Sequence, residues 1–143
     1  MKLSECINFL LTNTQNTVFS LFKKELQAYN VTPIQYALLK CLWDEDEQIP
    51  TQLAQTLHLD SSTITGILAR LEDKGLIVRN YCTTDRRRII VCLTDAGRIL
   101  QSPIEALIEH INLQVSANLS AAELTALKGY LQRLESTANT LLK

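Results

Sequence analysis

Residues 50–76 read PTQLAQTLHLDSSTITGILARLEDKGL, and this stretch decides the fold. Pro50 suits the first position of a short helix running to Leu57, because a proline there gives up no intrahelical hydrogen bond. His58-Leu59 turns the chain. Asp60 is placed to cap a second helix, Ser61–Lys74, and Gly75 falls where a helix-ending glycine belongs. Leu53, Ala54, Leu57, Leu59, Ile64 and Ile67 make one buried set across both helices, the pattern of a helix-turn-helix. Ala54 is small enough for the helices to cross closely, and Leu59 plugs the turn. Ser61, Ser62, Thr63, Thr65, Gly66 and Ala69 are left for the opposite side. Capping is the plainer role for the hydroxyls at the helix start. On such a helix, however, short hydroxyl side chains also reach phosphates and base edges without filling the major groove of double-stranded DNA.

The next stretch strengthens that reading. Leu76–Tyr81 and Arg88–Leu93 are rich in β-formers and flank a polar tip, Cys82–Arg87, which predicts two antiparallel strands. The tip carries Asp85-Arg86-Arg87-Arg88. An arginine there suits the minor groove beside the recognition helix, where negative potential is focused, and Asp85 is placed to hold it extended. The charge distribution agrees. From Arg70 to Arg98 seven basic residues face four acids, a balance of +3, while the remainder carries −4 and the whole chain −1. A basic middle on an acidic body points to a localised polyanion contact.

The flanks read as long helices. Leu3, Ile7, Leu10, Leu11, Val18, Leu21, Phe22, Leu26 and Tyr29 recur at helical spacing and predict one helix over Ser4–Tyr29, about 39 Å long. Thr32-Pro33-Ile34-Gln35 opens a second helix with a capping box, ending near Trp43. The acidic run Asp44–Glu47 reads as a solvated loop. Thr94 caps a helix from Asp95 to about Ala117, which Pro103 should kink or divide. Ser120 and Glu123 form a capping box for a last helix reaching about Leu142. Ile99, Leu100, Ile104, Leu107, Ile108, Ile111 and Val115 make one apolar stripe. Leu124, Leu127, Leu131, Leu134, Leu141 and Leu142 make another. With the first helix they offer more apolar face than one small winged helix covers, which predicts a homodimer rather than an intramolecular bundle.

DSSTITGILARLEDKGLIVRN followed by TTDRRRIIVCLTDAG resembles the winged-helix core of MarR-type transcriptional regulators. The matching features are the Ser/Thr-rich recognition helix, Leu71-Glu72, Lys74-Gly75-Leu76, Arg79, Asp85 with Arg87, and Val91-x-Leu93-Thr94 with Gly97. The resemblance implies a mainly α fold with a small β wing. Residues 31–94 would be a winged helix-turn-helix, and residues 1–30 with 95–143 a helical dimerisation region. It further implies a homodimeric repressor on a pseudo-palindromic operator, released by a small-molecule effector held between the dimerisation region and the winged helix. Ser61, Ser62, Thr63, Thr65, Asp85, Arg86, Arg87 and Arg88 would touch DNA. Many relatives carry Arg where this chain has Gly66, so a direct arginine–guanine contact is absent there. Readout then rests more on shape, threonine methyls and water.

An alternative signal is an oxidant acting on Cys6, near the start of the first helix, where peroxide-sensing relatives carry a reactive cysteine. Its distance from Gln35-Tyr36 does not match theirs well. The plainer role for Cys6 is a small hydrophobe at an interface. Cys41 and Cys92 read as structural, and Cys82 lies by the wing. The four cysteines form no Cys-x-x-Cys pair, and only His58 and His110 accompany them, which argues against structural zinc. No Gly-rich phosphate loop, nucleophile elbow or His-Glu metal helix supports an enzyme, and no cofactor is expected. A winged helix used only for protein contacts would lack the arginine cluster.

The chain's 143 residues suit one domain, or one with an extension for a partner. Apolar residues at 46% exclude a disordered chain, and 4 Gly with 3 Pro favour helices over a turn-rich sandwich. No apolar run approaches the roughly 18 residues of a membrane span. The N-terminus has no cleavage-site pattern, so a cytoplasmic location is expected.

Overall fold

The computed structural model describes residues 1–81 and 88–143. The wing tip, including Cys82, Asp85, Arg86 and Arg87, lies outside the described residues. Seven α-helices and a two-stranded antiparallel sheet account for most of the described chain. In order they are α1 (Ile7–Leu26), α2 (Pro33–Asp44), α3 (Pro50–Leu57), α4 (Ser61–Asp73), β1 (Ile77–Tyr81), β2 (Ile89–Leu93), α5 (Asp95–Ile99), α6 (Gln101–Val115) and α7 (Ala121–Leu141). The fold is the expected one, mainly α with a small β wing. The chain forms two compact units, Met1–Leu107 and Ile108–Lys143.

In the first unit, Leu26, Leu38, Leu39, Leu42, Leu53, Ile64, Leu68, Leu71, Ile77 and Val91 are fully or almost fully buried. They come from α1 to α4 and both strands, so the helix-turn-helix and the wing share one core. Of the set expected around the turn, Leu53, Ile64 and Ile67 are buried, whereas Ala54, Leu57 and Leu59 are half-buried. Leu68 and Leu71 complete the inward face of α4.

Three helix ends in this unit close the same way. Leu76 N–H donates to the Leu71 carbonyl at 3.0 Å and Gly75 N–H to that of Glu72 at 2.9 Å, the paired bonds of a Schellman cap. Gly75 sits at φ 73°, where a side chain would be strained. His58 and Asn30, both at φ 54°, end their helical segments with the same left-handed turn. Thr32 and Gln35 form the expected reciprocal cap of α2, and Ser120 with Glu123 that of α7.

Several expectations need correction. The first helix is shorter than Ser4–Tyr29: Leu3–Glu5 is a separate 3₁₀ turn, Cys6 is extended, and Gln27–Tyr29 tightens to 3₁₀. The expected division near Pro103 does occur, at Leu100. Pro103 falls in the first turn of α6, where its missing N–H leaves no helical bond unmade. Of the expected apolar stripe, Ile99 falls in α5, ahead of the division, and is 72% exposed in the single chain. The acidic run is only partly solvated: Asp46 Oδ1 accepts from Leu93 N–H at 2.9 Å, and Arg98 meets Oδ2 at 3.3 Å. Next to it Gln48 pairs with Val91 as an isolated antiparallel bridge, a third rung at the edge of β2.

The register places Ile77 opposite Leu93, Arg79 opposite Val91 and Tyr81 opposite Ile89. A two-stranded hairpin is marginal alone. Here its base is held by the chain crossing itself. Thr94 N–H donates to the Leu76 carbonyl at 3.1 Å, the Thr94 hydroxyl to the Gly75 carbonyl at 2.6 Å, and Trp43 Nε1–H to the Gly97 carbonyl at 3.0 Å. A Cβ on Gly97 would stand 2.2 Å from the Leu76 carbonyl oxygen. Gly97→Ala should therefore destabilise the fold by about 1–3 kcal/mol, the range for overpacking, as measured by urea unfolding. An alanine variant as stable as the wild type would show that the crossing has room to spare.

Candidate nucleic-acid interface

The exposed face of α4 is built from its cap. Asp60 Oδ1 accepts the Thr63 N–H at 2.7 Å and the Ser62 hydroxyl at 2.9 Å. The Thr63 amide is the main reason the Asp60 carboxyl is held below the usual carboxylate range. The Thr65 hydroxyl donates back to the Ser61 carbonyl at 2.8 Å. The Ser62 and Thr65 protons are thus committed to the chain, and their oxygens keep acceptor capacity. Ser61, Ser62, Thr63, Thr65 and Gly66 are all exposed, and Ala69 is half-buried. The structure brings all four predicted helix residues onto one solvent-facing stretch of α4, backed by buried Ile64, Ile67 and Leu68.

The wing joins α4 through an ion pair that sequence reading left as a motif. Arg79 donates to Glu72 three times: backbone N–H to Oε2 at 3.0 Å, Nη2 to Oε1 at 3.1 Å, and Nε to Oε2 at 3.4 Å. The guanidinium bonds hold the Glu72 carboxyl below its usual range, with the Arg79 amide adding to the effect. The fork is rigid where a single lysine bond would swivel, so it fixes the angle at which β1 leaves the helix. At the far end of the hairpin Arg88 is exposed. With Ile49, Pro50, Thr51 and Ile89 it lines a shallow cleft of about 350 Å³. Asp85, Arg86 and Arg87 lie outside the described residues.

The other candidates are placed as follows. Cys6 is half-buried and occupies the N-cap of α1, where its thiol makes no capping bond. Cys41 and Cys92 are half-buried, and burial pushes both thiols above their ordinary range. His58 and His110 are exposed. Among the described residues no group of His, Cys, Asp or Glu is arranged to hold a metal.

A tie missed at the sequence level lies behind α4. Lys74 Nζ donates to the Asn30 carbonyl at 2.6 Å and to Gln35 Oε1 at 2.7 Å. Gln35 is the one buried polar residue among those described. A lone glutamine at a helix start reads as a cap, and nothing in its neighbourhood announces a lysine 39 residues away.

This geometry is a winged helix-turn-helix. The MarR family model matches residues 31–89. The organic hydroperoxide resistance transcriptional regulator of Bacillus subtilis is 34% identical over 101 residues, spanning 71% of this chain and 69% of that protein. A Pseudomonas aeruginosa protein described as a probable transcriptional regulator has a crystal structure that superposes with a TM-score of 0.86 at 34% identity, covering 93% of this chain and 99% of that one. The repressor CouR, solved with a 23-mer DNA duplex, superposes at 0.87 and 27% identity over 94% and 98% of the two chains. CouR from Rhodococcus jostii RHA1 has also been solved with p-coumaroyl-CoA. The chain belongs to the MarR family of transcriptional regulators.

Two outcomes follow from the site. An added methyl at Gly66 meets nothing within 4 Å, so Gly66→Ala should stabilise the free protein by up to about 1 kcal/mol through helix propensity, read by urea unfolding. A destabilised alanine variant would mean that the surroundings of Gly66 are tighter than this geometry. The Glu72–Arg79 pair gives a pH signature. Because the folded carboxyl titrates below its unfolded value, its stabilisation is complete above the unfolded value and is lost as pH falls through the folded one. Melting temperatures of Glu72→Gln and wild type should therefore differ near neutrality and converge in acid, and parallel profiles would remove the pair from the account.

Proposed function

We propose that this chain is a homodimeric MarR-type repressor. It binds a pseudo-palindromic operator in double-stranded DNA and is released by a small-molecule effector. The observation that carries the reading is the exposed, small and polar face of α4, rigidly joined by Glu72–Arg79 to a wing whose tip sequence is Asp85-Arg86-Arg87-Arg88. Ser61, Ser62, Thr63 and Thr65 would meet phosphates and base edges in the major groove, and the wing arginines the neighbouring minor groove. Asp85 would orient Arg87. The DNA and p-coumaroyl-CoA complexes of CouR support the pairing of operator and effector in this family.

Dimerisation is supported by helices that lack a cover. In α1 only Leu26 is buried, and Ile7, Leu10, Leu11 and Phe19 are exposed. The second unit independently leaves Leu113, Leu127, Leu131, Leu134 and Leu141 exposed, and α7 has no buried residue at all. Leu124, Leu127, Leu131, Leu134, Ala138 and Leu141 follow alternating steps of three and four, the seam that a partner helix covers. We assign residues 1–30 and 95–143 to dimerisation and 31–94 to DNA binding. A two-fold operator then needs the two-fold protein.

The assigned role is regulatory rather than enzymatic and uses no cofactor. No helix among the described residues is long and apolar enough to cross a membrane, and a cytoplasmic site of action suits a repressor. The thiol alternative has less support, since among the described residues the Cys6 thiol, at the start of α1, makes no capping hydrogen bond. The name of the Bacillus subtilis relative makes an oxidant control worthwhile.

Anisotropy on DNA from upstream of the protein's own gene should show competitor-resistant binding that weakens steeply with salt. Arg87→Ala should lose about 1–3 kcal/mol of that affinity with the dimer intact by light scattering. Unchanged affinity would refute the wing assignment, and equal binding to random DNA would favour a protein-interaction module. Hydroperoxide should leave the complex in place. Release that Cys6→Ser abolishes would instead make the thiol the sensor.

A further inference from the structure

We propose that Lys74 is a positioning residue for operator recognition. Its ammonium ties the C-terminal end of the recognition helix to the joint between α1 and α2, and so sets the angle at which α4 is presented to DNA. The inference rests on the DNA-binding reading above and adds to it a residue that touches no DNA.

Lys74 is the last residue of the α4 turn, immediately before Gly75. Its Nζ donates across 44 residues to the carbonyl of Asn30 at 2.6 Å and across 39 to Gln35 Oε1 at 2.7 Å. Both acceptors are fixed. Asn30 is held in the left-handed turn that ends α1, with its N–H bonded to the Gln27 carbonyl at 3.0 Å. Gln35 is 3% exposed, and its Oε1 also accepts the Thr32 N–H at 3.2 Å, so the two donors orient the amide.

Neither acceptor carries a charge. Lys74 is half-buried, and desolvation lowers its pKa, with Arg70 adding to the effect. A lysine kept in a partly dry site without a carboxylate partner costs desolvation, and a surface position would avoid that cost. What the arrangement gives in return is geometric. One ammonium with two fixed acceptors clamps the end of α4 to the junction of two other helices. The Glu72–Arg79 fork clamps the same turn of α4 to the wing. The helix is thus held on two sides at its C-terminal end by polar ties, in addition to the buried Ile64 and Ile67 that seat its N-terminal half. The exposed apolar residues of α1 lie on the element that Asn30 terminates. Lys74 is therefore a hydrogen-bonded tie from the end of that helix to α4.

The test uses the full-length protein and a duplex selected by the wild type from a random library, with a scrambled duplex as control. Lys74→Met keeps the stem and removes the ammonium. It should lose about five- to tenfold in affinity for the selected duplex, the lower range of site-to-site coupling. Its affinity for the scrambled duplex and the salt slope should be unchanged, and Lys74→Arg should restore part of the loss. Gln35→Met, buried and away from any groove, should show the same selective loss, and the double variant should lose no more than either single one. If Lys74→Met does not fold, Lys74→Arg and Gln35→Met decide the matter by the same selective loss or its absence.

Equal losses on both duplexes, with a salt slope smaller by about one, would make Lys74 a phosphate contact and overturn the proposal. Folded variants that bind the selected duplex like the wild type would reduce the tie to a stability contact and overturn it as well. A wild type that selects no duplex at all would remove the DNA-binding reading together with this role. That result differs from failure of the role alone, in which wild type and variants discriminate equally.

Discussion

At the Leu76 carbonyl the chain leaving α4 is met by the chain returning from the wing. Thr94 donates to this carbonyl and to that of Gly75, and Gly97 passes so close that no Cβ fits between them. The two strands can only start and finish where they do if this crossing closes. Trp43 then reaches the Gly97 carbonyl from α2, so the helix under the core is keyed to the same point. A hairpin of two five-residue strands has too little core to be stable alone. Its base is anchored to α4 and α2 by these bonds.

Around that crossing the unit solves a specific problem, which is to expose one face of a helix while keeping its orientation fixed. The buried side of α4 is supplied by Ile64, Ile67, Leu68 and Leu71. Its start is fixed by Asp60, its end by the Schellman bonds at Gly75, and its flanks by Arg79 and Lys74. Each device satisfies polar groups that would otherwise be costly to leave unpaired, and none occupies the outward face. The Ser62 and Thr65 oxygens keep acceptor capacity, because their protons bond within the helix cap and the preceding turn.

The caps were legible in the sequence to the residue. Thr32 with Gln35, Asp60 before Ser61, Thr94, and Ser120 with Glu123 are local signals whose partners lie within three positions. The exposed face of α4 was legible too, since helical periodicity assigns sides once Ile64 and Ile67 are inside. The early end of the first helix was not. Cys6 and Gln27–Tyr29 have nothing in their composition that forbids an α-helix, and the break reflects the geometry of the chain around them. Asp46 was hidden among four consecutive acids, and only its contact with Leu93 N–H and Arg98 separates it from its solvated neighbours.

By itself the sequence determined the order and kind of elements, the helix-turn-helix, the basic wing and the family to which these belong. It could do so because caps, periodicity and turn residues act over a few positions and leave a local trace. Only the tertiary structure decided how α4 is held. Lys74 meets Asn30 and Gln35, Arg98 meets Asp46, and Gly97 meets Leu76 across 21 to 52 residues of chain. Such pairs carry no local pattern, because what selects them is the meeting of distant segments in one core. The long-range contacts bind α4 and the wing to the rest of the unit, whereas the polar groups exposed on α4 are written along a single helix.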